Sequence, residues 1–409
     1  MSALSGAPVY DPADPAVRRD PFPLYARLQD EDPVHWSPAL RTWVVTRYDD
    51  VRGIAMAGEL SPNRLAPFYA SLGEERRPVL AEVMRYLSVW LVFRDPPEHT
   101  RLRRLLNTVI NPKIVAGMRP AIRRTVDDVL DRVHGRDAID FASEVAALVP
   151  AWVILDMLGI PRERFDEIKV WSDDLRAFIG TSRGDARRYE RAQRGAIGMS
   201  AFFREQIAER RAAPRDDVIS AMIAARDEGG ALTEDEIVGT CMLILFGGHE
   251  TTTSLLTNSV DALLDHPDQL ERLRADPSLI ESAVEEFLRY DGPSNSIARV
   301  VARDHAIGDT VLRAGDRVFA MINAANRDPR QFERPQALDL GRTPNRHLTF
   351  GFGIHFCLGA PLARLEGQAC VAALLERFPR IERGEGEREW MDAMVMRGLT
   401  RLPLRLGRT

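Results

Sequence analysis

FGFGIHFCLGAPLARLE, residues 350–366, sets three glycines around one cysteine where a helical pattern begins. Glycine has no Cβ, so such a loop lets backbone lie close to a flat ligand. Backbone N–H groups at a helix start favour an anion, so a thiolate at Cys357 would be stabilised there. The ordinary alternative for a lone cysteine is a buried structural thiol. That is the expectation for Cys241 and Cys370, which sit inside helical patterns without glycines. The chain has three cysteines and no C-x-x-C, so neither a disulfide framework nor a cysteine zinc site is encoded. A reducing compartment follows from that usage. Cysteine-protease chemistry would need a partnering base, and no such pairing can be read.

Upstream lies a second anomaly. Thr233 and Glu236 form a T-x-x-E capping box, and nothing stops the helix before His266-Pro267. At 1.5 Å per residue, such a helix runs about 48 Å. Its middle, CMLILF (241–246), is apolar all round and predicts burial on every side. Gly247 and Gly248 follow, each costing about 1 kcal/mol against alanine in a helix. His249, Glu250 and Thr251 to Thr253 then place polar groups at a depth where they are unwelcome. Two readings stand: a packed kink with threonines bonded back to preceding carbonyls, or a groove for a ligand served by the Glu–Thr pair.

Further out, the pattern is mainly α with a smaller β portion. Strand-like segments fall at about 30–60, including PVHW (33–36) and TWVVTRY (42–48), and again at 297–325. Helical periodicity covers about 95–290 and 358–378; Ile122, Val126, Val129, Leu130 and Val133 share one helix face. No linker or repeat divides the 409 residues, so one domain over 1–409 is expected, although length alone suggests two or three. Basic and acidic residues number 55 and 60, a net charge of −5, with no basic excess to neutralise a nucleic-acid backbone. The N-terminus lacks a basic start followed by an apolar stretch. The longest apolar run, VAALVPAWVIL (145–155), is short of the about 20 residues a bilayer needs. A cytoplasmic protein without a membrane anchor is expected.

Taken together, these segments resemble the cytochrome P450 family of haem-thiolate monooxygenases. FGFGIHFCLGA matches the family's cysteine loop F-G-x-G-x-H-x-C-x-G, and GGHETT matches its oxygen-binding helix [A/G]-G-x-[D/E]-T-[T/S]. Glu286 and Arg289 match E-x-x-R; Asn326-Arg327-Asp328-Pro329, with Phe332 and Pro335, matches the stretch that follows it. DPPEHTRLR (95–103) matches the start of the helix that clamps the haem. The order is the family's, and the resemblance runs from about Pro21 to the C-terminus.

The resemblance implies the cytochrome P450 fold, with the long helix over a haem b and the cysteine loop beneath it. Cys357 is then the iron ligand, with Phe350, Gly351 and Gly359 beside the porphyrin. His99, Arg103, Arg299 and His355 fall at propionate positions. Glu250 and Thr251 become the acid–alcohol pair that relays protons during O2 activation, and Glu286–Arg289 a buried structural pair. His249 fills a variable position and is expected to be a satisfied helix residue rather than a metal ligand. Substrate-facing positions map onto Trp90, Leu91, Leu243, Phe246, Gly247, Asn295, Ile297, Val395 and Met396. With no flavin or iron–sulfur signature, a monomeric enzyme would draw electrons from a separate ferredoxin and ferredoxin reductase; Arg104 and Arg364 are candidates for the docking face. The expected reaction is hydroxylation or epoxidation of an apolar small molecule of terpenoid, polyketide or macrocycle type, in bacterial secondary metabolism or catabolism. The rivals are a haem-thiolate peroxygenase or nitric oxide reductase and, outside catalysis, a haem-binding sensor or carrier.

Overall fold

In a computed structural model the described residues are 7–180, 187–227 and 230–407; the first six residues, part of the N-terminal stretch read above, lie outside them. Helices form most of the molecule. The clamp helix Glu98–Val109 and the helix Arg119–Val133 are followed by Leu148–Leu158, the roof helix Phe165–Ile179 and Arg188–Ala212. The central helix Glu234–Asp265, then Ile280–Tyr290, and finally the cysteine helix Ala360–Arg377 complete the set that positions the site. The periodicity at 122–133 is realised: Ile122, Val126, Val129, Leu130 and Val133 are all buried.

One sheet carries strands β1 (Val34–Ser37), β2 (Thr42–Val45), β3 (Leu60–Ser61), β4 (Ser296–Val301) and β5 (Arg317–Met321) in the order β1-β2-β5-β4-β3. Its pairs are antiparallel except β5 with β2, where Phe319 lies opposite Val44. The expected strand to Tyr48 is shorter than its apolar pattern. A helix begins at Tyr48 with Asp49 and Asp50 in its first turn, where the helix dipole favours acids. A second sheet joins Ala138–Asp140, Arg380–Arg383 and Pro403–Gly407; these short strands carry too few residues to show alternation.

The central helix is 32 residues long and starts on the predicted capping box. Thr233 Oγ1 accepts from Glu236 N at 3.2 Å, and Glu236 Oε2 accepts from Thr233 N at 2.8 Å. Its polar middle is satisfied locally only in part, since His249 Nε2 and Thr253 Oγ1 are buried without a hydrogen-bond partner. His249 Nδ1 donates to Leu245 O at 2.7 Å, and Ser254 Oγ donates to Glu250 O at 3.1 Å. The helix runs unbroken past Gly247 and Gly248, and the two glycines differ. A Cβ on Gly248 would sit 2.5 Å from Ile154 Cδ1 on Leu148–Leu158, so this glycine brings two helices together. A Cβ on Gly247 would meet only Leu243 Cδ1, at 3.9 Å.

Glu286 and Arg289 are completely buried and paired at 2.7 Å. Arg289 also donates to the carbonyls of Asn326, Pro335 and Ala337, while Glu286 accepts from Arg342, Asn345 and Asp339 N. Every strong donor and acceptor is met, the condition under which a buried pair is tolerated. Asn326 then accepts from Leu348 N at 2.7 Å and donates to Thr349 Oγ1 at 2.8 Å. The pair thus fixes the chain that leads straight into the cysteine loop.

Candidate functional site

Between the central helix and the cysteine loop lies a cavity of about 400 Å³. The loop that forms its floor is shaped by glycine. Gly351 and Gly353 have φ of +73° and +67°, a conformation that costs side-chain-bearing residues dearly. Cys357 N donates to Phe350 O at 2.8 Å, closing the loop. The Cys357 thiol opens into the cavity. Burial pushes it above its usual value, while the N–H groups of Gly359 and Ala360 and the charges of Arg103 and Arg364 favour the thiolate. Phe350 is buried beneath the loop, with the Arg364 guanidinium 4.5 Å from its ring centroid.

The other two cysteines are the buried thiols expected of them. Burial raises Cys370 to about 12 and Cys241 further.

His99, Arg103 and His355 line the same cavity. The two histidine rings are 4.3 Å apart, and Arg103 Nη1 donates to Phe356 O at 2.7 Å. Arg299, at the fourth propionate position, lines a neighbouring cavity instead. It is close enough for its charge, after burial and together with His99 and Arg103, to hold His355 down at about 3. Among the described residues none of the four forms an ion pair with a carboxylate. His99 Nε2 is buried without a hydrogen-bond partner. Two arginines without a counter-charge, two histidines kept neutral beside them and an orphaned ring nitrogen, next to an open sulfur and a glycine floor, fit a flat dianionic group with a thiophilic metal. Haem is such a group.

Opposite the thiol, Thr251 lines the cavity and donates its hydroxyl to Gly247 O at 2.8 Å. Glu250 does not line it. Successive side chains fan out around a helix at 3.6 residues per turn, and Glu250 points toward the roof helix. Its carboxylate lies 3.2 Å from His249 Nε2 and 3.4 Å from Arg176 Nε. Burial pushes Glu250 up, but His249, Arg176 and Lys169 outweigh it and hold the carboxyl at about 2.

Of the nine substrate positions mapped from the sequence, Leu91, Leu243, Gly247 and Ile297 line the cavity. The other five do not. Trp90 and Phe246 pack on each other, centroids 5.7 Å apart, and Trp90 stacks on Phe93. Asn295 is engaged elsewhere: Oδ1 accepts from Tyr25 at 3.1 Å and Nδ2 donates to Met394 O at 3.0 Å. Val395 O accepts from Asn295 N, and Met396 is buried at a bridge to Ser294. In strand and turn geometry neighbours alternate sides, so a family segment names the wall but not which of its residues faces inward.

Several lining residues escaped the sequence reading, among them Ile154, Met157, Thr240 and Ile244. Ile244 sits one residue from Leu243 in an all-apolar run, which gives no signal of direction. Glu366 escaped as well. It is fully buried on the cavity wall, and neither carboxyl oxygen has a hydrogen-bond partner. Burial raises it to about 8 against a smaller pull from Thr252. Among the described residues no further cluster suited to a metal ion is present, and no helix is long and apolar enough to cross a membrane.

Comparison with known proteins agrees with this geometry. Residues 73–404 match the family described as Cytochrome P450. The chain is 37% identical over 409 residues to Cytochrome P450 107B1 of Saccharopolyspora erythraea, covering 96% of this chain and 97% of that protein. It is 36% identical to Cytochrome P450 monooxygenase PikC of Streptomyces venezuelae, over 95% and 92% of the two chains. The crystal structure of CalO2 superposes with a TM-score of 0.89 at 34% identity, covering 98% of this chain and 99% of that one. P450BioI in complex with hexadec-9Z-enoic acid ligated acyl carrier protein gives 0.87 at 32% identity, over 96% and 99%.

A long buried helix laid over a glycine-shaped cysteine loop defines the haem-thiolate class. The chain belongs to the cytochrome P450 family. It is a monooxygenase of that family, using haem iron and O2.

Proposed function

We propose that the enzyme inserts one oxygen atom of O2 into an apolar small molecule of terpenoid, polyketide or macrocycle type. Its setting is bacterial secondary metabolism or catabolism, in the cytoplasm, with electrons from a separate ferredoxin and its reductase. The observation that carries this reading is the cavity: Cys357 on its floor, Thr251 opposite, and walls of Leu91, Leu243, Ile244 and Ile297 broken by a few hydroxyls. An apolar chamber with sparse polar groups binds apolar ligands by burial and orients them by hydrogen bonds. Relatives named for polyketide biosynthesis, such as PksS of Bacillus subtilis, support it.

Haem b would be held by Cys357 below, and its propionates by His99, Arg103 and His355 with Arg299 nearby. When bound, the haem supplies dioxygen activation, with the thiolate's electron donation favouring O–O cleavage. Thr251 keeps a hydroxyl at the cavity wall, anchored on Gly247 O, where it can pass a proton inward. Glu250 stands behind it as an ionised group tied to His249 and Arg176, so it acts from outside the chamber rather than as a wall residue.

A spectral titration of the ferric enzyme against a library of apolar natural products tests the substrate class. Low-spin to high-spin shifts with apolar, oxygen-bearing compounds are expected. Shifts confined to small charged compounds would refute it.

A further inference from the structure

His249 is a buried titratable group that the acid–alcohol pair leaves unused. It is 3% exposed, sits on the central helix beside Glu250, and does not line the haem cavity. Its ring makes two polar contacts. Nδ1 lies 2.7 Å from Leu245 O, and a carbonyl oxygen can only accept, so Nδ1 carries the hydrogen there. Nε2 is buried and meets no aligned hydrogen-bond acceptor, yet Glu250 Oε1 is 3.2 Å away.

The roof helix faces the same carboxylate from the other side. Arg176 Nε stands 3.4 Å from Glu250 Oε2, while Arg176 Nη2 donates to Asp173 Oδ1 at 3.1 Å. Lys169 Nζ also donates to Asp173, at 2.8 Å. Asp173 therefore takes up part of both charges, and the basic groups within ion-pair distance of Glu250 among the described residues are Arg176 and His249. A neutral imidazole with its hydrogen on Nδ1 would turn a bare nitrogen toward an ionised carboxylate. Two acceptors would then face each other in a buried site, which is costly. A second hydrogen, on Nε2, turns the same contact into attraction. Burial pushes the Glu250 carboxyl up, and His249 opposes that push ahead of Arg176 and Lys169. Neither His249 nor Arg176 borders the haem cavity, so haem brings Nε2 no other partner.

We propose that His249 carries a hydrogen on both ring nitrogens and forms an imidazolium–carboxylate pair with Glu250, fixing that carboxylate behind Thr251 and keeping a proton within the relay. His249 acts through Glu250 and is a positioning residue. This rests on the reading of Glu250 and Thr251 as the proton path. It adds a third member to that path, from the position that the helix motif leaves variable.

Proton–nitrogen NMR reads the ring directly, on haem-loaded enzyme reduced and bound to carbon monoxide so that the iron is diamagnetic. With isotope-labelled histidine, the ring signals missing from His249→Gln are those of His249. Near neutral pH both nitrogens should carry a proton in the native chain. In Glu250→Gln the Nε2 proton should be lost while Nδ1 keeps its own. Melting temperatures supply a second readout. His249→Leu leaves a buried charge poorly balanced, so adding Glu250→Gln should recover part of the melting temperature that His249→Leu loses. A bare Nε2 in the native chain overturns the proposal, and so do strictly additive losses in the double variant. Failure of the relay itself would show elsewhere, as unchanged product per NADH in Thr251→Ala, with the His249 ring still doubly protonated.

Discussion

Glu366 shows what a single residue can hide. In the sequence it is one acid among many, following A-R-L in a helix, and its depth is invisible until the central helix packs over it. Held at about 8 in the folded chain against 4.5 ordinarily, it keeps a proton that the unfolded chain has released. Between those values the native state binds the extra proton, so stability falls as pH rises through that window. Glu366→Gln should remove this slope. Thermal denaturation should show wild type and variant equal near pH 4.5 and the variant more stable near pH 8; parallel curves would show that the carboxyl is not buried alone. Glu250 contrasts with it, set against His249 and the Arg176 guanidinium and ionised throughout that range. Thr251 has its hydroxyl at the cavity wall, and Thr251→Ala should lower product formed per NADH consumed by up to roughly a hundredfold, the lower end of the range for proton-transfer groups. Equal coupling in the variant would remove Thr251 from the proton path.

At the scale of elements, the central helix was legible because caps and apolar runs are local signals. The purpose of each glycine was not, because it depends on what packs alongside. A Cβ on Gly239 would meet the Tyr86 carbonyl at 2.9 Å and Val89 Cγ2 at 2.4 Å. Gly247 faces the chamber with room to spare. Gly247→Ala should therefore keep or raise the melting temperature, alanine being favoured by about 1 kcal/mol in a helix, while weakening bulky ligands. Gly239→Ala should lower it. Reversal of that order in calorimetry would contradict the packing described. The Glu286–Arg289 pair was read as structural from its motif, and its network of carbonyls explains why. Arg289→Ala leaves a buried carboxylate with Arg342 as its remaining cation beside Asn345 and Asp339 N, at a cost of about 3–5 kcal/mol. Low yield of folded, haem-loaded protein is expected; normal yield and melting would show the network to be dispensable.

For the whole molecule, the sequence carried the order of elements and the residues nearest the cysteine, since those positions are tied to motifs of fixed spacing. The chamber's walls were half legible. Leu91, Leu243, Gly247 and Ile297 face inward, whereas Trp90, Phe246 and Asn295 are turned into the surrounding core and hydrogen-bond network. Inward direction is a property of the assembled strands and helices. The expected docking face changes in the same way. Arg364 is bound to Glu285 at 2.6 and 2.9 Å and stacked on Phe350, so its guanidinium braces the cysteine loop instead of standing free. Arg104 is exposed. The central claim is that this scaffold presents Cys357 as a thiolate to haem iron. The most direct measurement is the absorption spectrum of the reduced, haem-loaded enzyme under carbon monoxide. A red-shifted Soret band is predicted for the native chain, with its loss in Cys357→Ser while haem remains bound. Persistence of that band in Cys357→Ser would contradict the account.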